Sequence, residues 1–124
     1  MIERSAGERL RPEDRIRRRA DFDLAYAEGD RVTSRSFTLI VRASGQDRPR
    51  LGVTISRMVG AAVVRNAVRR RLREVFRRNR EIIRRPIDIV FHVRPQAAGI
   101  SLSDLQAEFR EAMGRYWARQ ERRP

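Results

Sequence analysis

The strongest periodicity in this chain runs from Ala61 to Arg78. At about 100° per residue, Ala61, Val64, Val68, Leu72, Val75 and Phe76 fall on one side of a helix. Asn66, Arg69, Arg70, Arg73 and Arg77 fall on the other, with Arg65 on the border. A second helical pattern puts Leu102, Leu105, Phe109, Ala112, Met113 and Trp117 on one apolar face, opened by Ser101 and Asp104 in the manner of a capping box. A shorter helix is predicted over residues 20–28, stopped by Gly29 in a left-handed cap. Phe22 and Tyr26 share a face of it. Either both belong to the core, or their rings line a groove beside a sheet.

Period-two stretches lie between these helices. In SFTLIVRA, Phe37, Leu39 and Val41 alternate with Ser36, Thr38 and Ile40, which sends the two sets to opposite faces of a strand. Residues 31–34 read as a short strand. RLGVTIS, residues 50–56, reads as a longer one, with Gly52 marking a bulge or a close backbone approach. IDIVFHV, residues 87–93, is apolar on both alternations, as a central strand covered on two faces should be. The order helix, strands, helix, strand, helix predicts an α+β fold, a two-layer sandwich with about four strands. If the strands of the unit 50–93 are parallel, the general rule favours a right-handed crossover. Residues 1–14 read as a flexible arm, 15–118 as one domain, and 119–124 as a frayed basic tail.

Charge sharpens this picture. Twenty-nine basic residues face 16 acidic ones among 124, for a net charge of +13; every basic residue is arginine. Arg65, Arg69, Arg73 and Arg77 stack one helical turn apart, where like charges cost a few tenths of a kcal/mol per pair, about. The single Glu74 of the segment cannot neutralise them. A solvated face would mix signs; this one asks for a polyanion, with nucleic acid ahead of an anionic membrane. A membrane binder would expose Leu, Phe or Trp on the central helix, and here those residues are committed to the core. The spacing of a helix-turn-helix is not evident.

Enzymatic chemistry finds little footing. The absence of Cys excludes disulfides, thiolate metal sites and a cysteine nucleophile. The single histidine, His92, cannot make a two-His metal site by itself. Asp21 and Asp23 point to different sides of their helix and read as surface acids favoured by the dipole. Neither a catalytic residue nor a metal ligand is therefore expected. No run of apolar residues suits a signal peptide or a membrane span, so a soluble, cytoplasmic protein is expected.

Three stretches then carry a resemblance. RADFDLAYAEG with SRSFTLIV, RLGVTIS followed by RMVGAAVVRN, and RNAVRRRLREVF occur in order over about residues 15–117. Together they resemble the protein subunit of bacterial ribonuclease P. The resemblance implies a left-handed strand–helix–strand crossover, against the general rule. It implies two RNA partners, the catalytic RNA of the enzyme and the 5′ leader of precursor tRNA. The reaction would be endonucleolytic removal of that leader, with Mg²⁺ bound mainly by RNA partner and substrate. The RNA would carry the chemistry, and the protein would be a monomeric accessory subunit in a 1:1 complex. Arg65, Asn66, Arg69, Arg70 and Arg73 would grip the catalytic RNA. Phe22, Tyr26, Ser36, Thr38, Ile40 and Arg57 would line a groove for the leader. The family commonly reads Arg-Asn-Arg where this chain has Ala67, so no contact is carried to that position; Arg71 and Arg78 share its flank. Ile40 stands where relatives are often aromatic. The alternative is a general basic RNA-binding or ribosome-associated protein without a role in cleavage.

Overall fold

A strand that is apolar on both alternations needs cover on both faces, and residues 87–93 receive it. The computed structural model describes residues 9–123. It contains helix α1 (Arg19–Glu28), strands β1 (Asp30–Thr33), β2 (Phe37–Ala43) and β3 (Arg50–Thr54), helix α2 (Ala62–Arg78), strand β4 (Ile87–Val93) and helix α3 (Leu102–Arg122). The sheet order is β1-β2-β4-β3, which puts β4 inside. β1 and β2, and β2 and β4, pair antiparallel, whereas β3 and β4 are parallel neighbours joined through α2. The class is α+β, with a mixed four-stranded sheet and three helices.

The alternation read in residues 36–43 decides which residues meet which helix. Phe37, Leu39 and Val41, with Ile89 and Phe91 of β4 and Leu51 of β3, pack under α2 and α3. α2 supplies Val68, Leu72, Val75 and Phe76; α3 supplies Leu105, Phe109, Ala112, Met113, Tyr116 and Trp117. Phe91 meets Phe37 edge-on at 5.0 Å between centroids and Phe109 at 5.5 Å. On the opposite face Ile40 and Val90 form a smaller cluster with Ile16 and Ala25, and Phe22 and Tyr26 pack half-buried against it.

Polar clamps fix the elements. Asp88, fully buried in the inner strand, receives both Nε and Nη2 of Arg50 at 2.8 and 2.7 Å. Asp21 of α1 adds a weaker contact to the same guanidinium at 3.4 Å, so this first-turn acid does more than favour the dipole. Glu108 of α3 accepts from Ser34 Oγ, the Ser36 amide and Ser36 Oγ at 2.6–2.8 Å, tying α3 to the β1–β2 turn. Ser101 caps α3, accepting from the Asp104 amide, as the sequence suggests. The exposed edge of β1 is blunted by Arg115 and Arg119, which donate to the carbonyls of Thr33 and Arg31.

Three local expectations are corrected. Gly29 is extended (φ −75°, ψ 154°), not left-handed. Glycine is needed there because a Cβ would sit 2.6 Å from the Ala25 carbonyl oxygen and 2.7 Å from Ile40 Cγ2. Residues 119–122 are not frayed: α3 continues through them, and Asp30 holds Gln120 and Arg123 at 2.9–3.1 Å. Of the expected arm, residues 1–8 lie outside the described residues. The remainder packs on the domain. Leu10 touches the main core, and Asp14 is buried, with Arg48 at 2.7 Å and Arg80 at 3.4 Å. Ile16 donates its amide to the Leu51 carbonyl along the edge of β3.

Gly52 makes a close approach, not a bulge, since the β3–β4 register runs through it unbroken. A Cβ there would lie 2.8 Å from Phe22 Cε1. Gly52→Val is expected to destabilise the fold by ~1–3 kcal/mol by overpacking. Gly114→Ala, at an exposed helical site with nothing within 4 Å of the added methyl, should instead stabilise by about 1 kcal/mol. Urea unfolding of the two variants checks the opposite signs.

Among the described residues, three carboxylates titrate below their ordinary range. Hydrogen bonds from Arg77, then Arg78, outweigh burial and hold Glu74 down at about 2. Burial raises Glu108, but the bonds from Ser34 and Ser36 outweigh it and leave it lowered. The Arg123 hydrogen bond lowers Asp30 against burial, with help from Gln120. Depressed folded values mean stabilisation that is present above the unfolded values, 4.5 for Glu and 3.8 for Asp, and lost as pH falls through the folded ones. The urea midpoint should therefore hold above the ordinary carboxylate range and fall from about 4.5 toward about 2. Glu108→Gln should lower the midpoint at neutral pH and narrow the difference from wild type as pH falls.

Candidate nucleic-acid interface

The face of the sheet that carries α1 is built in three rows by the strand register. Arg42, Asp88 and Arg50 form a charged row. Arg31, Ile40, Val90 and Gly52 form the middle row. Thr33, Thr38, His92 and Thr54 form a polar row across all four strands. α1 lies over the first two. Its Glu28 holds Arg42 at 3.0 Å, Asp21 reaches Arg50, Ala25 sits at Ile40, and Phe22 lies on Gly52. The third row stays open: Thr33 and His92 are exposed, Thr38 and Thr54 partly so.

Tyr26 forms the wall of this open strip. Its hydroxyl shares a 2.7 Å hydrogen bond with His92 Nδ1, and the two rings meet edge-on at 5.7 Å. The Arg31 guanidinium lies 5.6 Å from the Tyr26 ring centroid and donates to the Tyr26 carbonyl. An extended strand laid here would meet hydroxyls, an imidazole, an aromatic ring and a guanidinium, the chemical set of a sequence-tolerant single-strand surface.

The second surface is the outer side of α2. Ser56 caps the 3-10 turn Arg57–Val59 that precedes it, accepting from the Met58 amide, and Gly60 follows at φ 149°, where glycine is favoured. The helix then buries Val68, Leu72, Val75 and Phe76. Its opposite side carries Arg65, Asn66, Arg69, Arg70 and Arg73. Among the described residues none of these four arginines has a carboxylate partner. Arg69 donates only to Asn66 Oδ1, at 2.9 Å. The Nε of Arg65 is buried with no hydrogen-bond partner. Burial, then the charges of Arg15 and Arg69, push the Arg73 guanidinium below its ordinary value. Arg77 departs from the row, because Glu74 takes Arg77 and Arg78 at 2.6 and 2.7 Å. So Glu74 neutralises the end of the stripe and leaves the first three turns cationic.

The expected groove residues divide. Tyr26 and Thr38 border the open strip. Phe22 is half-buried, spent mainly on Gly52 and Ile16. Ile40 is fully buried beneath Ala25 and Gly29 and does not line the strip. Ser36 is also fully buried, and lies on the other side of the sheet with Glu108. The bend at residues 35–36 breaks the strand alternation that placed it with Thr38. Arg57 is exposed where the chain leaves β3. Thr33, Thr54 and His92 were not singled out by the sequence; only the cross-strand register aligns them. No group of three or more His, Cys, Asp or Glu that could hold a metal occurs among the described residues. None of the described helices is long and apolar enough to cross a membrane.

A small α+β domain with one carboxylate-poor arginine helix beside an open sheet strip is a recognisable class, and known proteins say which. The family model described as Ribonuclease P matches residues 10–117. The ribonuclease P protein component of Acidothermus cellulolyticus is 39% identical over 103 residues, covering 82% of this chain and 86% of the relative. That of Syntrophus aciditrophicus is 33% identical over 99 residues, covering 80% and 83%. The solved ribonuclease P protein from Thermotoga maritima superposes with a TM-score of 0.74 at 31% identity, covering 82% of this chain and 96% of that one. The chain belongs to the ribonuclease P protein family, the protein component of a ribonucleoprotein nuclease of tRNA processing.

Proposed function

We propose that this subunit holds the catalytic RNA of ribonuclease P on α2 and the 5′ leader of precursor tRNA on the open sheet strip. The observation that carries the reading is the run Arg65, Arg69, Arg70 and Arg73, cationic and without carboxylate partners among the described residues. Folding alone gains nothing from such a run, since like charges at helical spacing oppose it. Phosphates would relieve the repulsion and supply the missing acceptors. These contacts would position the partner and carry little sequence information. The leader would lie along Thr33, Thr38, His92 and Thr54, with Tyr26 and Arg31 at one side and Arg57 beyond one end. Side chains of this kind accept any base, which suits a subunit serving many precursors.

The chemistry is assigned to the RNA. Mg²⁺, when bound, would activate water and stabilise the leaving oxygen, held mainly by the RNA partner and substrate. The contribution of the protein is then to hold the leader against the RNA and so place the scissile phosphodiester. The complex is read as one protein per RNA, working in the cytoplasm.

The test is cleavage of precursor tRNA by a bacterial ribonuclease P RNA at low Mg²⁺, with and without the chain. Stimulation that grows with leader length is expected, and Tyr26→Ala should reduce that growth. A tightly bound RNA with no stimulation would leave a general basic RNA-binding protein and overturn the proposal. Separately, Arg69→Ala with Arg73→Ala should weaken binding to the catalytic RNA and make log K against log salt shallower by about one or two counterions. An unchanged slope would remove α2 from the interface.

A further inference from the structure

The end of the molecule where β4 begins carries a second group of arginines, separate from those at the start of α2. Arg84 and Arg85 lie between the 3-10 turn Arg80–Ile82 and β4. Trp117 of α3 is the base on which they rest. Its Nε1 donates to the Ile82 carbonyl at 2.9 Å, which fixes the ring, and the two guanidinium carbons lie 5.5 and 5.9 Å from the ring centroid. Stacking of this kind holds the guanidinium plane and leaves its N–H groups free to donate.

Carboxylates do little to occupy this group. Among the described residues Arg84 has only Glu121, at 3.8 Å, with both side chains well exposed. Among the described residues Arg85 and Arg122 have none. Arg122 belongs to the last turn of α3, where the helix dipole favours it. Arg84 and Arg85 are outside any helix, so that account does not cover them. Two exposed guanidiniums are therefore held on the ring, Arg84 with one distant, exposed carboxylate and Arg85 with none among the described residues.

Distance and charge set this surface apart from α2. The segment from Arg65 to Arg78 spans about 20 Å of helix, and Glu74 neutralises its last two arginines. The cationic stripe is interrupted between the two groups. The exposed large apolar side chains Leu24, Met58 and Val63 belong to other parts of the chain, and Trp117 is covered, which disfavours a lipid surface. We propose that Arg84 and Arg85, braced on Trp117, form a second phosphate-binding surface that holds a separate segment of the RNA partner. This rests on reading α2 as the first RNA contact.

Hydroxyl-radical footprinting of a bacterial ribonuclease P RNA with the full chain tests it, read beside the salt dependence of binding. Arg84→Ala with Arg85→Ala should lose one set of protections, keep the set that Arg69→Ala with Arg73→Ala loses, and flatten the salt slope by about one to two counterions. Arg84→Lys with Arg85→Lys, which keeps the charge, should recover most of the slope. A far-UV circular dichroism spectrum and a cooperative urea transition like those of wild type report an intact fold in the free variants. Emission of Trp117, the only tryptophan, should instead shift once the two guanidiniums leave its ring. A footprint and slope equal to wild type would overturn the proposal while leaving α2 standing. Loss of the same protections in both double variants would overturn it too, by making the two surfaces one. No footprint with wild type would bring down the reading of α2 as well.

Discussion

The contact between the Phe22 ring and the bare backbone of Gly52 governs how α1 is assembled on the sheet. Without a Cβ on β3 at that point, α1 can lie close to the sheet. Its two ends are then clipped by Asp21 to Arg50 and Glu28 to Arg42. Arg50 is in turn committed to Asp88, the one acid buried in the inner strand. A buried pair of this sort gains little over an apolar replacement, yet loses much if one partner is removed. It therefore acts more as a register pin than as a source of stability. With helix and sheet fixed this way, α1 covers two rows of side chains and stops short of the third. The open strip of Thr33, Thr38, His92 and Thr54 is a consequence of where the helix ends, not of any special feature in the strands.

α2 meets a different constraint. One side of it must anchor the parallel unit of β3 and β4, and Val68, Leu72, Val75 and Phe76 do so. The other side accumulates positive charge that the fold does not need. The apolar side stabilises the helix by several kcal/mol, roughly 1.5–3 per large buried side chain. The repulsion costs a few tenths per pair, about. Packing therefore wins easily, and the helix can carry a face poor for stability. Glu74 limits the cost at the C-terminal end, where Arg77 and Arg78 are drawn into intrahelical pairs. What remains unpaired is confined to the first turns, next to the loop that leaves β3.

Much of this was legible in the residues. The 3.6-residue period of α2 and α3 and the two-sided apolar run of β4 are local patterns, and each has one physical solution. Gly52 left two, a bulge or a close approach, and the unbroken register of β3 on β4 selects the second. The groove was less legible. Ser36 shares the parity of Thr38, but parity holds only within a strand, and the bend before Phe37 turns Ser36 toward Glu108. Ile40 has the right parity and the wrong depth, because α1 covers its row. His92, Thr33 and Thr54 are remote in sequence and become neighbours only through pairing across four strands. Strand register is a long-range property, and no spacing within one segment encodes it. Gly29 shows the same limit at short range. The residue type was informative, but a crowded carbonyl and an isoleucine methyl explain it, not a left-handed turn.

The distribution of acids explains why a chain with so much positive charge holds together and still has charge to offer. Asp14, Asp30, Asp88 and Glu74 each engage two or more donors, at places where arginines would otherwise crowd against the core or one another. Glu108 is spent on the serines of a turn. Acids used in this way neutralise the interior and the seams between elements. They are not spread evenly over the surface, as they would be in a protein whose charge served solubility alone. Among the arginines left over, one group lies on the first turns of α2 and another, Arg84 and Arg85, on Trp117. A uniform excess of charge would attract polyanions without orienting them. An excess sorted into separate, rigidly based groups can fix the angle at which a long polyanion lies across the domain, which a uniform excess cannot do.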